Sequence, residues 1–516
     1  MRLLSASLAA LLAAAPLQAQ HHDHAAGAPS AAYGHIRFPT SAAPEANAAF
    51  TRGVLYLHNF HYPQARAAFR EAVRLDPGDA MSRWGEAMSF NWPVWNTQFA
   101  DSARAALRAY APTREERLAR ARTPRERLYL ETVEALFAEE GSKAARDTAH
   151  LRAMERLAAA HPDDPEATAF LALALLGIRQ GDRDEAAYAR AADLSDAVLR
   201  GLPEHPGALH YLIHAVDDPR HAPRGLPAAR AYSRVAPDAA HAQHMTSHIF
   251  VAMGMWSEVE HANEQAYRAA LRIPGQPISH GTHWRVYSLL QQGRRREAAA
   301  WMDTLFTRVR RGGEPRSSVA AAAAAYVVDG EQWNAPYLQL PFDTAGMGFD
   351  ASVSDFAAGY AALRRGDTDQ ARARLAVMAA RNATPAAARG GYGETSRGNA
   401  RVMEGTLRAL LTHAAGDRAT ALAALDSAAR LEESLPMAFG PPVTIKPPRE
   451  AAGELLLADG RPAEARRQLE LALARTPGRT PVLQALAHAC TASGDHACAG
   501  RALATVRQSQ ARADAR

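Results

Sequence analysis

The stretch GVLYLHNFHYPQARAAFREAVRLDP, residues 53–77, decides the fold. Gly53, Tyr56, Ala65, Phe69, Ala72 and Pro77 follow one another at offsets of 3, 9, 4, 3 and 5. Offsets of three and four place Ala65, Phe69 and Ala72 on one helical face. Small residues at Gly53, Ala65 and Ala72 let two helices approach, Phe69 fills the gap between them, and Pro77 after Asp76 stops the second helix. The spacing returns at Gly453, Leu456, Ala465, Leu469, Ala472 and Pro477. It returns again at Gly359, Ala362, Ala371, Leu375 and Met378, without the terminal proline. Ala262, Ala266 and Ala269, and Ala421, Leu425 and Ala428, take the second-helix positions of two weaker copies. A hairpin copied along the chain predicts a repeat array, in which each unit buries its apolar face against its neighbours.

This spacing resembles the tetratricopeptide repeat (TPR), a helical hairpin of 34 residues. The resemblance is strongest over 45–78 and 448–478, extends to 350–382 and 402–431, and fades over 80–200, where long Ala/Arg/Leu helices remain. It departs from the family at the first-helix tryptophan, where Ala49 and Arg449 stand. It implies an all-α superhelix, an α-solenoid, whose first helices line a concave groove. Strand patterning is nearly absent. Arg311–Ser318 reads as a break between two blocks, 382–398 as a loop, and 435–448 as irregular chain, because Gly440-Pro441-Pro442 and Pro447-Pro448 disfavour a helix. The organisation expected is a signal peptide over 1–19, a disordered leader over 20–44, an N-terminal block over 45–310 and a C-terminal block over 319–510.

Composition narrows the functional classes. The 516 residues carry a net charge of +5, and all but two of the 59 cations are arginine, Lys143 and Lys446 being the lysines. No basic run is interleaved with aromatic residues, which argues against a nucleic-acid partner. Beyond the N-terminus no apolar run reaches the ~20 residues of a membrane span. Arg2, the apolar Leu3–Pro16 stretch and the small Ala19 read as an export signal with Gln20 as the mature start, so a soluble periplasmic or secreted protein is expected. Cys490 and Cys498 flank Thr-Ala-Ser-Gly-Asp, a hairpin corner, and in an oxidising compartment they are expected to pair.

The chemistry-bearing residues cluster. Ten of the 21 histidines lie between His205 and His283. His210 and His214 are spaced i, i+4 and share a helical face. Adding 34 to each reaches His244 and His248, and His241 joins their face. A further repeat on, His280 and His283 are read as the next rung, 36 residues from His244 in the case of His280. Asp217, Asp218 and His221 follow the first pair and are candidate ligands or supports for ligands. Three readings stay open for this ladder. Neutral imidazoles suit a transition metal, zinc or copper in this setting. Together with Arg220, Arg224 and Arg230 they also suit a polar groove for a peptide, a protein or an acidic ligand. They also suit plain structural hydrogen bonding.

The stretch from His210 to Trp256 further resembles exported bacterial TPR-like proteins with a histidine-rich central segment. The residues that carry it are His210-Tyr-Leu-Ile-His214, Asp217-Asp-Pro219 and His244-Met-Thr-Ser-His248-Ile-Phe. Gly34-His-Ile-Arg-Phe-Pro39 and Gly440-Pro-Pro-Val-Thr-Ile-Lys446 add to it. It implies architecture and a candidate site, not a reaction.

A mature start at Gln20 would also set His21 and His22 beside a free amine, a weak copper or nickel motif. His58 and His61 read as packing or surface residues, and Glu260 and Glu264 as a solvated pair. No H-E-x-x-H, G-x-S-x-G or phosphate-binding glycine loop occurs. The expectation is a binding scaffold rather than an enzyme. Its groove residues are His210, His214, His241, His244, His248, His280 and His283. The alternative is a metal-dependent enzyme or metal-handling protein using the same side chains.

Overall fold

The computed structural model describes residues 31–178, 183–273, 275–314, 319–338, 349–383 and 393–514. The expected signal peptide, residues 20–30 of the leader with His21 and His22, residues 315–318 of the expected break and residues 384–392 of the expected loop lie outside them.

The described residues form an all-α, TPR-like stack of helical hairpins. α1 (Pro44–His58) packs on α2 (Tyr62–Leu75). α3 (Ala80–Met88), α4 (Ala100–Tyr110) and the short α5 (Arg114–Ala119) lead into the hairpin of α6 (Pro124–Leu136) and α7 (Lys143–Ala160). Four further hairpins follow: α8 (Pro165–Gly177) with α9 (Glu185–Gly201), α10 (Pro206–Ala215) with α11 (Ala222–Val235), α12 (Ala240–Ala252) with α13 (Trp256–Ala270), and α14 (Ser279–Gln291) with α15 (Arg295–Arg310). α16 (Ala320–Val328) links both halves. Then come α17 (Phe349–Arg364) with α18 (Thr368–Ala383), α19 (Glu394–Ala414) with α20 (Arg418–Ser434), α21 (Pro448–Ala458) with α22 (Pro462–Arg475), and α23 (Thr480–Ala492) with α24 (His496–Ser509). No described helix is long and apolar enough to cross a membrane.

The packing rule read from residues 53–77 is visible in side chains. Phe69 is fully buried, and its ring lies so close to Gly53 that a Cβ there would stand 2.6 Å from it. Gly85 of α3 receives the other side of the same ring. Gly453 and Leu469 repeat the fit at 2.5 Å. Two boundaries differ from the reading of the sequence. α19 begins at Glu394, so Gly398 lies inside a helix, where its missing side chain admits Leu435 at 2.5 Å. Asn91–Trp92 pairs antiparallel with Thr97–Gln98, a two-residue ladder too short to leave a period in the sequence.

The C-terminal hairpins return onto the middle of the chain. Arg479, fully buried, donates to Asp329 at 2.6 Å, to Glu450 at 2.6 Å and to the Tyr287 hydroxyl at 3.2 Å. Thr480 donates through its backbone N–H to the Gln291 side chain and through its hydroxyl to the Gln291 carbonyl. The Trp256 indole donates to the Gly478 carbonyl at 2.9 Å. The Cys490–Cys498 disulfide joins α23 to α24, with Cα atoms 5.8 Å apart.

Two stability measurements test this packing. Gly53→Ala forces a methyl into the Phe69 ring and is expected to cost about 1–3 kcal/mol in urea unfolding. Arg479→Met strands two buried carboxylates and is expected to cost about 3–5 kcal/mol. A change below ~0.5 kcal/mol in either refutes the corresponding contact as a support.

Candidate metal centre

The site is assembled by three successive first helices, α10, α12 and α14. Helix starts set the true repeat equivalence: Pro206, Ala240 and Ser279 are the first residues of the three helices. The step from α10 to α12 is therefore 34 residues, and that from α12 to α14 is 39. His210, His244 and His283 are fifth in their helices, and His214 and His248 ninth. His241 and His280 are both second. This corrects the register read from sequence, which set His280 against His244. The five extra residues before α14 shift it by more than one helical turn.

The side chains gather accordingly. His210, His214 and His241 present ligand nitrogens all within 4.8 Å of one another, and so do His244, His248 and His280. Each group is an i, i+4 pair from one helix and the second residue of the next. The third rung fails, because the ninth residue of α14 is Tyr287. His283 stands apart from both groups. Its Nε2 is buried without a hydrogen-bond partner, and burial pulls its pKa down to about 4.

Hydrogen bonds fix the proton positions. Asn263 donates its Nδ2 to the Val259 carbonyl, so its Oδ1 faces His244 Nδ1, 2.7 Å away, and must accept from it. His248 Nδ1 likewise donates to Asp217 Oδ2 at 3.0 Å. Both rings, when neutral, therefore carry bare lone pairs at Nε2, yet these two atoms are 3.3 Å apart. Two lone pairs at that distance repel unless a cation lies between them. On His244 a proton is disfavoured, because burial and the neighbouring imidazoles push its pKa well down. Two ligands about 2.05 Å from a tetrahedral ion stand about 3.3 Å apart. In the first group His210 Nδ1 donates to the His58 carbonyl at 2.6 Å, and its Nε2 faces His241 Nε2 at 3.2 Å. Burial pulls His210 and His241 well down too.

Four of the ladder rings are buried within the stack rather than spread along an open groove; His241 is half-buried and His280 exposed. Phe60 packs on His210 with ring centroids 4.2 Å apart and stacks on His241 at 5.4 Å. Trp284 and Phe439 stack on His248 at 4.5 and 5.1 Å. Phe439 comes from the C-terminal block, where Gly440, at φ +92°, admits the Trp284 ring against its backbone. Phe60, Asn263, Trp284 and Phe439 left no sign of this role in the sequence, being distant along the chain and of ordinary type.

Asp217 accepts from Arg183 at 2.9 Å as well as from His248, and so orients a candidate ligand. Asp218 and His221 do not join either group. Asp218 accepts from Arg183, from His221 Nδ1 at 2.7 Å and from the backbone at the start of α11. Glu260, read as solvated, is buried and accepts from Arg285 at 2.7 Å.

A third cluster, His58, Glu166 and His205, is equally close-set but has another chemistry. His58 Nε2 and His205 Nε2 donate to the two oxygens of Glu166 at 2.8 and 3.1 Å. His58 Nδ1 accepts from the Tyr211 hydroxyl, and His205 Nδ1 from the Ala208 N–H. Every imidazole nitrogen is engaged. Burial favours the protonated carboxyl, but the two imidazoles outweigh it and hold Glu166 below the usual carboxylate range. Behind this cluster, a cavity of about 1430 Å³ opens under the Gly34–Ser41 strap. Two of the charged side chains that border it are already engaged: Arg125 pairs with Asp164, and Glu126 accepts from Ser41.

No family model matches the chain, and no curated protein matches it. Among solved structures it is similar to the human IFIT1 dimer with m7Gppp-AAAA, at 12% identity over 91% of this chain and 90% of that one, with a TM-score of 0.37. It is similar to the APC/C hetero-tetramer Cut9-Hcn1 at 12% identity over 91% and 74%, TM-score 0.35. Yeast Tom70 gives 12% over 91% and 92%, TM-score 0.26. These likenesses are loose, and the fold assignment stands on the hairpins themselves.

The contrast between clusters is testable. Glu166→Gln replaces one of the two accepting oxygens with an NH2 donor that faces an imidazole N–H, and is expected to cost about 1.5–3 kcal/mol of stability. Metal content should not change. A drop in bound metal with unchanged stability would make the third cluster a metal holder and overturn its separation from the other two.

Proposed function

We propose that this protein is an exported helical-repeat scaffold that binds a transition-metal ion through His244, His248 and His280. The observation that carries the reading is the 3.3 Å approach of two Nε2 lone pairs whose Nδ1 protons are committed to Asn263 and Asp217. Metal-ligating histidines are typically held this way, with the second nitrogen donating to an amide, carbonyl or carboxylate. Three imidazoles leave a further coordination position, and the exposed His280 gives the ion an entry side. The disulfide of the last hairpin supports an oxidising compartment, consistent with an export leader. A second reading, capture of a peptide or protein partner, draws on Trp95 and Phe439. These side chains are 48% and 40% exposed and lie beside the two histidine groups.

Metal analysis of protein purified without a histidine tag separates the two. The metal reading expects a tightly held ion that survives desalting and is lost in His244→Ala, with helicity by circular dichroism retained. Metal-free protein that takes up neither zinc nor copper on reconstitution leaves the partner reading in possession of the site.

A further inference from the structure

We infer that the ladder holds a close pair of cuprous ions, one on His210, His214 and His241 and one on His244, His248 and His280. The inference rests on the metal reading above and extends it in number, spacing and kind of ion.

The number follows from the repeat. Shifting the first group by 34, 34 and 39 residues gives the second, and those shifts are the steps between the three helix starts. The chain has built one device twice. Each copy contains a close Nε2 edge, though between different positions: His210–His241 at 3.2 Å in the first and His244–His248 at 3.3 Å in the second. The preceding helix offers Ala169 and Leu173 at the fifth and ninth positions, and the following one breaks at Tyr287, so the device occurs on these two rungs alone.

The spacing follows from adjacency. The rings of His214 and His248, one from each group, have centroids 5.8 Å apart, and those of His241 and His244 are 6.4 Å apart. Asp217 lies between the groups, 3.0 Å from His248 Nδ1 and 4.0 Å from His214 Nδ1. No helix or loop separates the two sets of nitrogens.

The kind of ion follows from charge. All six donors are neutral imidazoles. Of the two nearby carboxylates, Asp217 and Asp218, both accept from Arg183, which offsets one of their charges. Two divalent ions would place four positive charges in a buried pocket with little compensation. The solvation penalty of an ion grows with the square of its charge, so monovalent ions are favoured. Copper is among the metals that imidazole suits, and it has a stable monovalent state. The rings of Phe60, Trp284 and Phe439 cover part of the site with apolar surface and disfavour the higher charge further.

The experiment uses the full chain without a tag, with His21, His22 and His24 changed to Ala so that the leader cannot hold copper. Cuprous ion is titrated anaerobically against the chromophoric chelator bathocuproine disulfonate. Two ions per chain are expected. His241→Gln and His280→Gln, at the least buried rungs, should each reduce the tight stoichiometry to one, and together to none, with helicity unchanged. Zinc should fail to reach two under the same conditions. Because two like charges held close together repel, the second cuprous ion should bind more weakly than the single ion held by either variant. One cuprous ion, lost in His280→Gln and indifferent to His241→Gln, overturns the pair and leaves the metal reading standing. Two cuprous ions of equal affinity, each bound as tightly as in the single variants, overturn the close spacing. Two zinc ions but no cuprous ion overturn the choice of metal. No metal of any kind overturns both readings.

Discussion

The centre depends on one geometric constraint, the step between successive first helices of the stack. An α-helix sets residues four apart on one face, so a fifth and a ninth residue point together. The stack then brings the second residue of the next first helix beside them. Histidine at those three positions converges, and a helical-repeat fold can copy the arrangement at every step. In this chain it is written twice and then ends, because Tyr287 takes the place of the next histidine. The insertion before α14 is absorbed in the turn, leaving the helix start, and with it His280, in the same relation to α12 that His241 has to α10.

Proximity of imidazoles alone does not make a metal site. The His58–Glu166–His205 cluster is as tight and more deeply buried, yet all four of its imidazole nitrogens are engaged, two of them on one carboxylate. The ladder differs because its Nδ1 atoms are drawn outward, to Asn263, to Asp217 and to the His58 carbonyl. What remains inside is the Nε2 lone pairs of His210, His244 and His248, two of which face each other. Arg183 extends the arrangement by steadying Asp217 and Asp218 together.

The two halves of the chain are coupled through this region. Arg479 ties the start of α23 to Asp329, Glu450 and Tyr287, and the loop after α20 delivers Phe439 onto His248. Part of the apolar cover of the second group is therefore supplied from far downstream in the chain. Loosening of the C-terminal return would uncover His248 and Trp284 on one side.

Much of this was legible in the amino-acid sequence. The hairpin period came from Gly53, Phe69 and their copies, the paired cysteines from their corner, and the histidine phase from an offset of 34, because helical periodicity and helix stacking are local rules. The sequence did not reveal the pairing of His280 with His244 and His248, the isolation of His283 or the burial of Glu260. Nor did it reveal the roles of Asn263, Phe60 and Phe439, or the transfer of His58 from packing residue to hydrogen-bond partner. Each depends on where a helix begins or on which distant segment lies against it. Counting residues along the chain measures neither, since a turn can absorb insertions and a solenoid can fold back on itself. Local chemistry wrote the repeat and its imidazoles; only the closed tertiary packing decided which nitrogens face each other and which are already bonded.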